Sequence, residues 1–219
     1  MALYIVSTPI GNLEDISFRA VKILEDVDLI LAEDTRRTSI LLNHYKVKNE
    51  VDSFNDFNKE KKTPTIINEL NKNKRIALVS DSGTPGISDP GFYLVRECVK
   101  NDIKVVPVPG ANALITALVS SGFATDKFVF LGFLPKKEAQ LKKSLLDIKN
   151  NNITTIFYES PYRIEKTLKL INEIIPNKKL CIARELTKKF EEFVRGTAKE
   201  ILEKKPKFKG EITVVVGKD

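Results

Sequence analysis

The chain has no tryptophan, one methionine, one histidine and two cysteines in 219 residues. Each scarcity removes a class of function. Without tryptophan, and with only five tyrosines, any ligand pocket is walled mainly by aliphatic groups, backbone and a few Tyr and Phe side chains. A lone His44 and no cysteine cluster assemble no zinc or haem site from ordinary ligands, and the expectation is that no metal is needed. Cys98 and Cys181 stand far apart in the runs Val95 to Val99 and Leu180 to Ala183. They read as small buried hydrophobes rather than as a disulfide or a metal pair. No apolar run approaches the roughly 20 residues of a membrane span. Met1 to Thr8 also lacks a basic segment followed by an apolar stretch, so the expectation is a cytoplasmic protein. The Gly-Lys-Ser/Thr of a phosphate loop and the G-x-G-x-x-G of a dinucleotide fold are both missing.

What is present is charge and a βα rhythm. Thirty-six Lys and Arg against 29 Asp and Glu leave a net charge of +7. That excess suits a nucleic acid, because neutralised phosphates release counterions. The same abundance of Lys, Asn and Ile also follows from an AT-rich genome, so charge alone leaves both readings open. Short runs rich in Val and Ile alternate with amphipathic stretches. Strands are expected at Leu3–Ser7, Asp28–Ala32, Val51–Phe54, Ile76–Val79 and Lys104–Val108, then at Phe128–Phe133, Thr154–Tyr158, Leu180–Ala183 and Ile212–Val216. Helices are expected at Ile16–Val27, Thr38–Tyr45, Thr65–Leu70, Phe92–Lys100, Ala111–Ser120, Leu141–Lys149, Ile164–Ile174 and Ala198–Lys204. Strands alternating with helices predict an α/β fold with mainly parallel sheets. The spacing changes and lysine grows denser after Gly122 to Asp126, which predicts two lobes, 1–122 and 123–219, with a cleft between them. A Lys-rich approach, Lys204 to Lys209, precedes the last strand.

In parallel sheets, ligands gather beyond the carboxyl ends of the strands. Those ends read Thr8 to Asn12, Glu33 to Arg37, Ser80 to Gly91, Pro109 to Asn112, Tyr158 to Ser160 and Arg184 to Thr187. They hold five of the ten glycines and several charged groups. The longest, Ser80 to Gly91, combines glycines that permit close backbone approach with prolines that stiffen the loop. A stiff loop offering backbone donors suits an adenosine or amino-acid moiety better than it suits a plain surface turn. Arginine adds a second clue. Only eight occur beside 28 lysines, and Arg36, Arg37, Arg163 and Arg184 fall at or just past predicted strand ends. A planar bidentate donor for a substrate, or a structural pair with Glu33, Asp34, Glu159 or Glu185, each accounts for that placement.

The strings YIVSTPIGNLEDISFRA, AEDTRRT, LVSDSGTPGISDPG, VVPVPGANA, FLGFLP, FYESPYR and ARELTKKFEE follow one another from Leu3 to about Val216. In that order the chain resembles the small-subunit ribosomal RNA methyltransferases of the tetrapyrrole methylase superfamily. SDSGTPGISDP together with AEDTR sets this branch apart from corrin methylases and diphthine synthase. The resemblance implies a two-lobed class III methyltransferase fold, working as a homodimer, with S-adenosylmethionine in the cleft. It implies methylation of a cytidine 2′-hydroxyl in the 16S RNA of the small ribosomal subunit. Residues matching the family's cofactor contacts are Pro9, Ser82, Gly83, Thr84, Ile87, Asn112 and Ala113, with Tyr158, Glu159 and Leu186 in the second lobe. Family members usually carry histidine where this chain has Ser53 to Asn58, so a histidine base there is excluded. Many members also continue beyond the position of Asp219.

Methyl transfer from a sulfonium is an in-line displacement that gains from holding the acceptor oxygen in place. A positioned base would still help a weakly acidic ribose hydroxyl. Asp34, Asp81 and Glu159 are the candidate bases, a mechanism with no dedicated base stands beside them, and Asp34 and Arg36 are expected to orient the substrate. Two other readings stay open. One is a tetrapyrrole or diphthine-type protein methylase on the same fold, and the other is a non-catalytic nucleotide- or RNA-binding module.

Overall fold

Side-chain alternation along the first strands builds a core on each face of one sheet. The computed structural model describes residues 1–204 and 208–218, so the Lys-rich approach to the last strand falls partly outside the described residues. In the first unit, Met1–Asn112, β1 (Ala2–Val6), β2 (Leu29–Ala32), β3 (Val51–Ser53), β4 (Arg75–Val79) and β5 (Val105–Val108) align in the order β3-β2-β4-β1-β5. Every pairing in this sheet is parallel. Leu3, Leu31, Ile76 and Leu78 face one core, while Val6, Ile30, Ala32, Ala77 and Val79 face the other. That two-residue period is what a sheet covered on both faces requires.

Helices cover both faces. In α1 (Phe18–Asp26) Ala20 and Leu24, one turn apart, enter the second of those cores. In α3 (Lys59–Asn71) Ile66 and Leu70, and in α4 (Phe92–Lys100) Leu94 and Cys98, enter the first. The Ser17 hydroxyl starts α1 by accepting the Ala20 N–H at 3.1 Å. α2 (Thr35–His44) is capped by Asp34, whose carboxylate accepts the Arg36 N–H at 2.9 Å. α3 begins well before the expected Thr65, because Pro64 sits inside the helix rather than at its start.

The second unit runs from Ala113 to Asp219. The divide therefore falls at Asn112/Ala113 and not at Gly122/Phe123. α5 (Ala113–Ser121) packs on strands of the second sheet, which assigns it there. The sheet comprises β6 (Phe128–Phe133), β7 (Thr154–Glu159), β8 (Lys179–Arg184), β9 (Glu192–Thr197) and β10 (Ile212–Val216), in the order β6-β7-β10-β8-β9. Across both sheets pairing is mainly parallel, as expected, but this sheet is mixed. Only β6–β7 is parallel, and β10 runs antiparallel to both β7 and β8. β8 and β9 are joined by residues 185–191, too short for the crossover that parallel strands need, so they pair antiparallel. Helices α6 (Glu138–Asn151), α7 (Ile164–Ile174) and α8 (Ala198–Glu203) close over one core with Phe157, Leu145, Leu168, Ile201 and Val214 at its centre. Cys98 and Cys181 are both buried, and burial pushes the Cys98 thiol up to about 11. Among the described residues no helix is long and apolar enough to cross a membrane.

Candidate functional site

The carboxyl end of the first sheet is built around a two-way backbone link between β1 and the long loop after β4. Thr8 N–H donates to the Gly83 carbonyl at 2.8 Å, and Gly83 N–H donates back to Thr8 at 3.1 Å. The Thr8 hydroxyl adds a bond to the Ser80 carbonyl at 3.2 Å. Ser7 and Thr84 share a hydroxyl contact at 2.9 Å, and Thr84 reaches the Ala111 carbonyl at 3.4 Å. Asn112 Nδ2 donates to Thr84 Oγ1 at 3.4 Å. Three chain segments, after β1, β4 and β5, are thereby tied together. Pro9, Ser82, Thr84 and Asn112 are half-buried around this knot and Ile87 is exposed, so the structure brings together the expected contact residues of this unit.

Two glycines are required by geometry. Gly83 has φ +83°, and a Cβ there would meet Ile10 Cγ2 at 3.3 Å. Gly110 lies so close to Ser7 that an added Cβ would come within 2.9 Å of its Cβ. Such close approach leaves bare backbone at these two positions of the knot.

Beside it, the ends of β3, β2 and β4 bring carboxylates together. Asp81 accepts the Asp34 N–H at 3.0 Å and lies 3.5 Å from Arg37 Nε. Asp34 chelates Arg36 through bonds of 3.0 and 2.7 Å, and this side-chain bonding lowers its carboxyl to about 2. A carboxylate so firmly ionised is a poor proton acceptor, so Asp34 serves as helix cap and anchor for Arg36. The Arg36 side chain itself is 89% exposed. Asp89 behaves oppositely. Burial, then the nearby charges of Glu33, Asp81 and Asp56, outweigh a bond from Ser80 and raise it to about 7. Burial also raises Glu33. Sequence reading missed Asp89, whose only signal was its place in the Ser-Asp-Pro-Gly stretch of the loop.

In the second unit, Tyr158 lies near the end of β7, edge-on to Phe130 and Phe133 at 4.9 and 5.6 Å between centroids. Glu159 does not fit the part of a base. Its side chain is wholly buried and accepts from Thr167 Oγ1 at 2.7 Å and Ser160 N–H at 2.8 Å, with Arg163 Nε 3.4 Å away. It fixes the start of α7. Arg163 also donates to the Leu134 and Pro135 carbonyls, and Arg184 pairs with Glu192 at 3.1 Å, so both arginines are structural. Leu186 is buried between Glu185 and Thr187, two non-glycine residues at φ +51° and +65°. Such conformations cost about 1–3 kcal/mol each and cluster at functional turns. Among the described residues no group of three or more His, Cys, Asp or Glu is arranged to hold a metal ion.

Residues 2–202 match the model of the Tetrapyrrole (Corrin/Porphyrin) Methylases. The chain is 50% identical, over 98% of its length and 97% of the relative's, to Ribosomal RNA small subunit methyltransferase I of Thermotoga maritima. It is 47% identical to the protein of the same name from Halalkalibacterium halodurans, covering 98% of this chain and 75% of that one. Uroporphyrin-III C-methyl transferase from Thermus thermophilus, solved in complex with S-adenyl homocysteine, shares the fold. Its TM-score is 0.67 at 15% identity, over 99% of this chain and 97% of that one.

Proposed function

The chain belongs to the tetrapyrrole methylase family, in the branch of ribosomal RNA small subunit methyltransferase I, and from that premise we propose that it methylates a cytidine 2′-hydroxyl in 16S ribosomal RNA with S-adenosylmethionine. The observation that carries the reading is the 50% identity over 98% of the chain to a relative named for that RNA. When bound, S-adenosylmethionine supplies a methyl group on a sulfonium, which an oxygen displaces in line.

The first unit's residues fit such a donor. Its knot presents half-buried Ser82, Thr84 and Asn112 beside two glycines that no side chain can replace without crowding. In this reading Pro9, Ser82, Gly83, Thr84, Ile87 and Asn112 hold the donor. Ala113, Tyr158 and Leu186 are assigned to it on the resemblance, and Glu159 contributes by fixing the backbone at the end of β7. Asp89, held near neutrality, takes the proton of the ribose hydroxyl. Arg36, exposed and oriented by Asp34, holds the RNA. The working unit is a cytoplasmic homodimer.

Labelled S-adenosylmethionine offered with small subunits, naked RNA and tetrapyrroles tests this. Label in ribose of small-subunit RNA is the expected result. Label in a tetrapyrrole or a protein moves the chain to another branch of its fold, and no transfer to any substrate supports a binding module.

A further inference from the structure

The second unit carries a pocket of about 590 Å³ away from the residues discussed so far. It is walled by the turn after α5 (Ser121 to Phe123), the start of β8 (Lys179, Leu180), the end of β9 (Arg195, Gly196), and Glu200 and Lys204. Three cations thus meet one carboxylate. Glu200 is committed already, since it accepts the Thr197 N–H at 2.7 Å and faces Lys179 Nζ at 3.3 Å. Among the described residues neither Arg195 nor Lys204 has a carboxylate within ion-pair distance. Arg195 is nevertheless held in place. Its Nε donates to the Ser121 carbonyl at 3.0 Å, its Nη2 to Ser120 at 2.5 Å, and its guanidinium lies 5.1 Å from the Phe193 ring centre. Lys204 Nζ sits 3.3 Å from the Arg195 carbonyl. Among the described residues, Arg195 Nη1 and the Lys204 ammonium, which also donates to the Arg195 carbonyl, therefore remain available on the pocket wall.

We propose that this pocket binds a phosphodiester of the RNA substrate, with the sugar or base of that nucleotide against Phe123. The chemistry matches, because phosphate is recognised by guanidinium and ammonium donors and an unstacked nucleotide packs on apolar or aromatic surface. The location favours a polymer. Leu186 follows the end of β8 while Lys179 and Leu180 begin it, and six residues of strand span roughly 20 Å. A small acceptor such as a tetrapyrrole cannot occupy both ends, whereas a folded RNA can. The inference rests on the RNA reading of the preceding subsection.

The test uses the full chain, a short single-stranded cytidine-rich RNA and inorganic phosphate as probes. Lys204→Ala should weaken RNA binding several-fold and flatten its logarithmic salt dependence by about 0.7 per lost phosphate contact. S-adenosylmethionine affinity, measured by calorimetry, should not change. Arg195→Lys, which keeps charge but loses the fork, should weaken RNA binding as well, and circular dichroism verifies that each variant is folded. If both folded variants bind RNA as the parent does, with the parent's salt slope, the pocket is not an RNA contact. If the variants lose only binding of inorganic phosphate, it is a free-anion site and the proposal is wrong. A parent chain that methylates neither small subunits nor naked RNA overturns the underlying function instead.

Discussion

Asp89 and Asp34 carry the same chemical group and sit in the same corner of the first unit, yet their acidities diverge. Asp34 is tied to Arg36, while Asp89 is half-buried among carboxylates. A base with a pKa of about 7 in the free enzyme predicts a kcat/KM that rises through that pH to a plateau. Asp89→Asn should lower kcat roughly a hundredfold or more and remove that limb, with little change in donor affinity. A pH–rate profile of Asp89→Asn matching the parent's would assign the proton to another group. Stability gives an independent readout. A carboxyl raised above its ordinary 3.8 keeps the folded state relatively favoured below that pH and costs stability as pH rises through about 7. Asp89→Asn should therefore raise the melting temperature at pH 8 and leave it nearly unchanged at pH 4. Gly83 is the other decisive residue. Gly83→Val places a branched side chain at φ +83°, a strain of about 1–2 kcal/mol, and crowds Ile10. Calorimetry should then show loss of S-adenosylmethionine binding at only a modest thermal cost; unchanged affinity would remove the loop from the donor site.

At the scale of elements, legibility followed pattern strength. The buried strands β1, β4, β7 and β10 were plain because their apolar runs end in turn residues. β9 was missed, since Glu192, Arg195 and Gly196 break its apolar pattern on a sheet edge. The glycine-rich loop was legible from composition, whereas the carboxylates around Asp89 were not. Glu33, Asp56 and Asp81 follow β2, β3 and β4, and only the order β3-β2-β4 makes those ends neighbours. Antiparallel placement of β10 was equally hidden, because an apolar run does not declare its direction. Helix starts did not track caps: α1 begins at Phe18 behind its Ser17 cap, two residues after the expected Ile16, while α4 and α7 begin where expected with no side-chain cap. Ser17→Ala should lower unfolding free energy by about 0.5–2 kcal/mol in urea without affecting methylation. A variant as stable as the parent would mean that another group takes up the Ala20 N–H.

For the whole molecule, the question is what covers the edge of the second sheet. β6 ends that sheet, and Phe128, Val129, Leu131 and Phe133 along it are all exposed. On α5 of the same unit, Ile115 and Val119, one turn apart, are exposed as well. Proteins usually blunt an edge strand with charge, proline or a covering element, and apolar side chains on such an edge invite a partner. We propose a second copy of the chain as the occupant, because the resemblance implies a homodimer. Sedimentation at micromolar concentration should accordingly give about twice the 24.7 kDa chain mass. Leu131→Lys, a charge on the exposed edge, should shift the chain to monomer while circular dichroism stays unchanged. A parent chain that sediments as a monomer overturns the homodimer. A Leu131→Lys variant that stays dimeric keeps the homodimer but moves its interface away from β6.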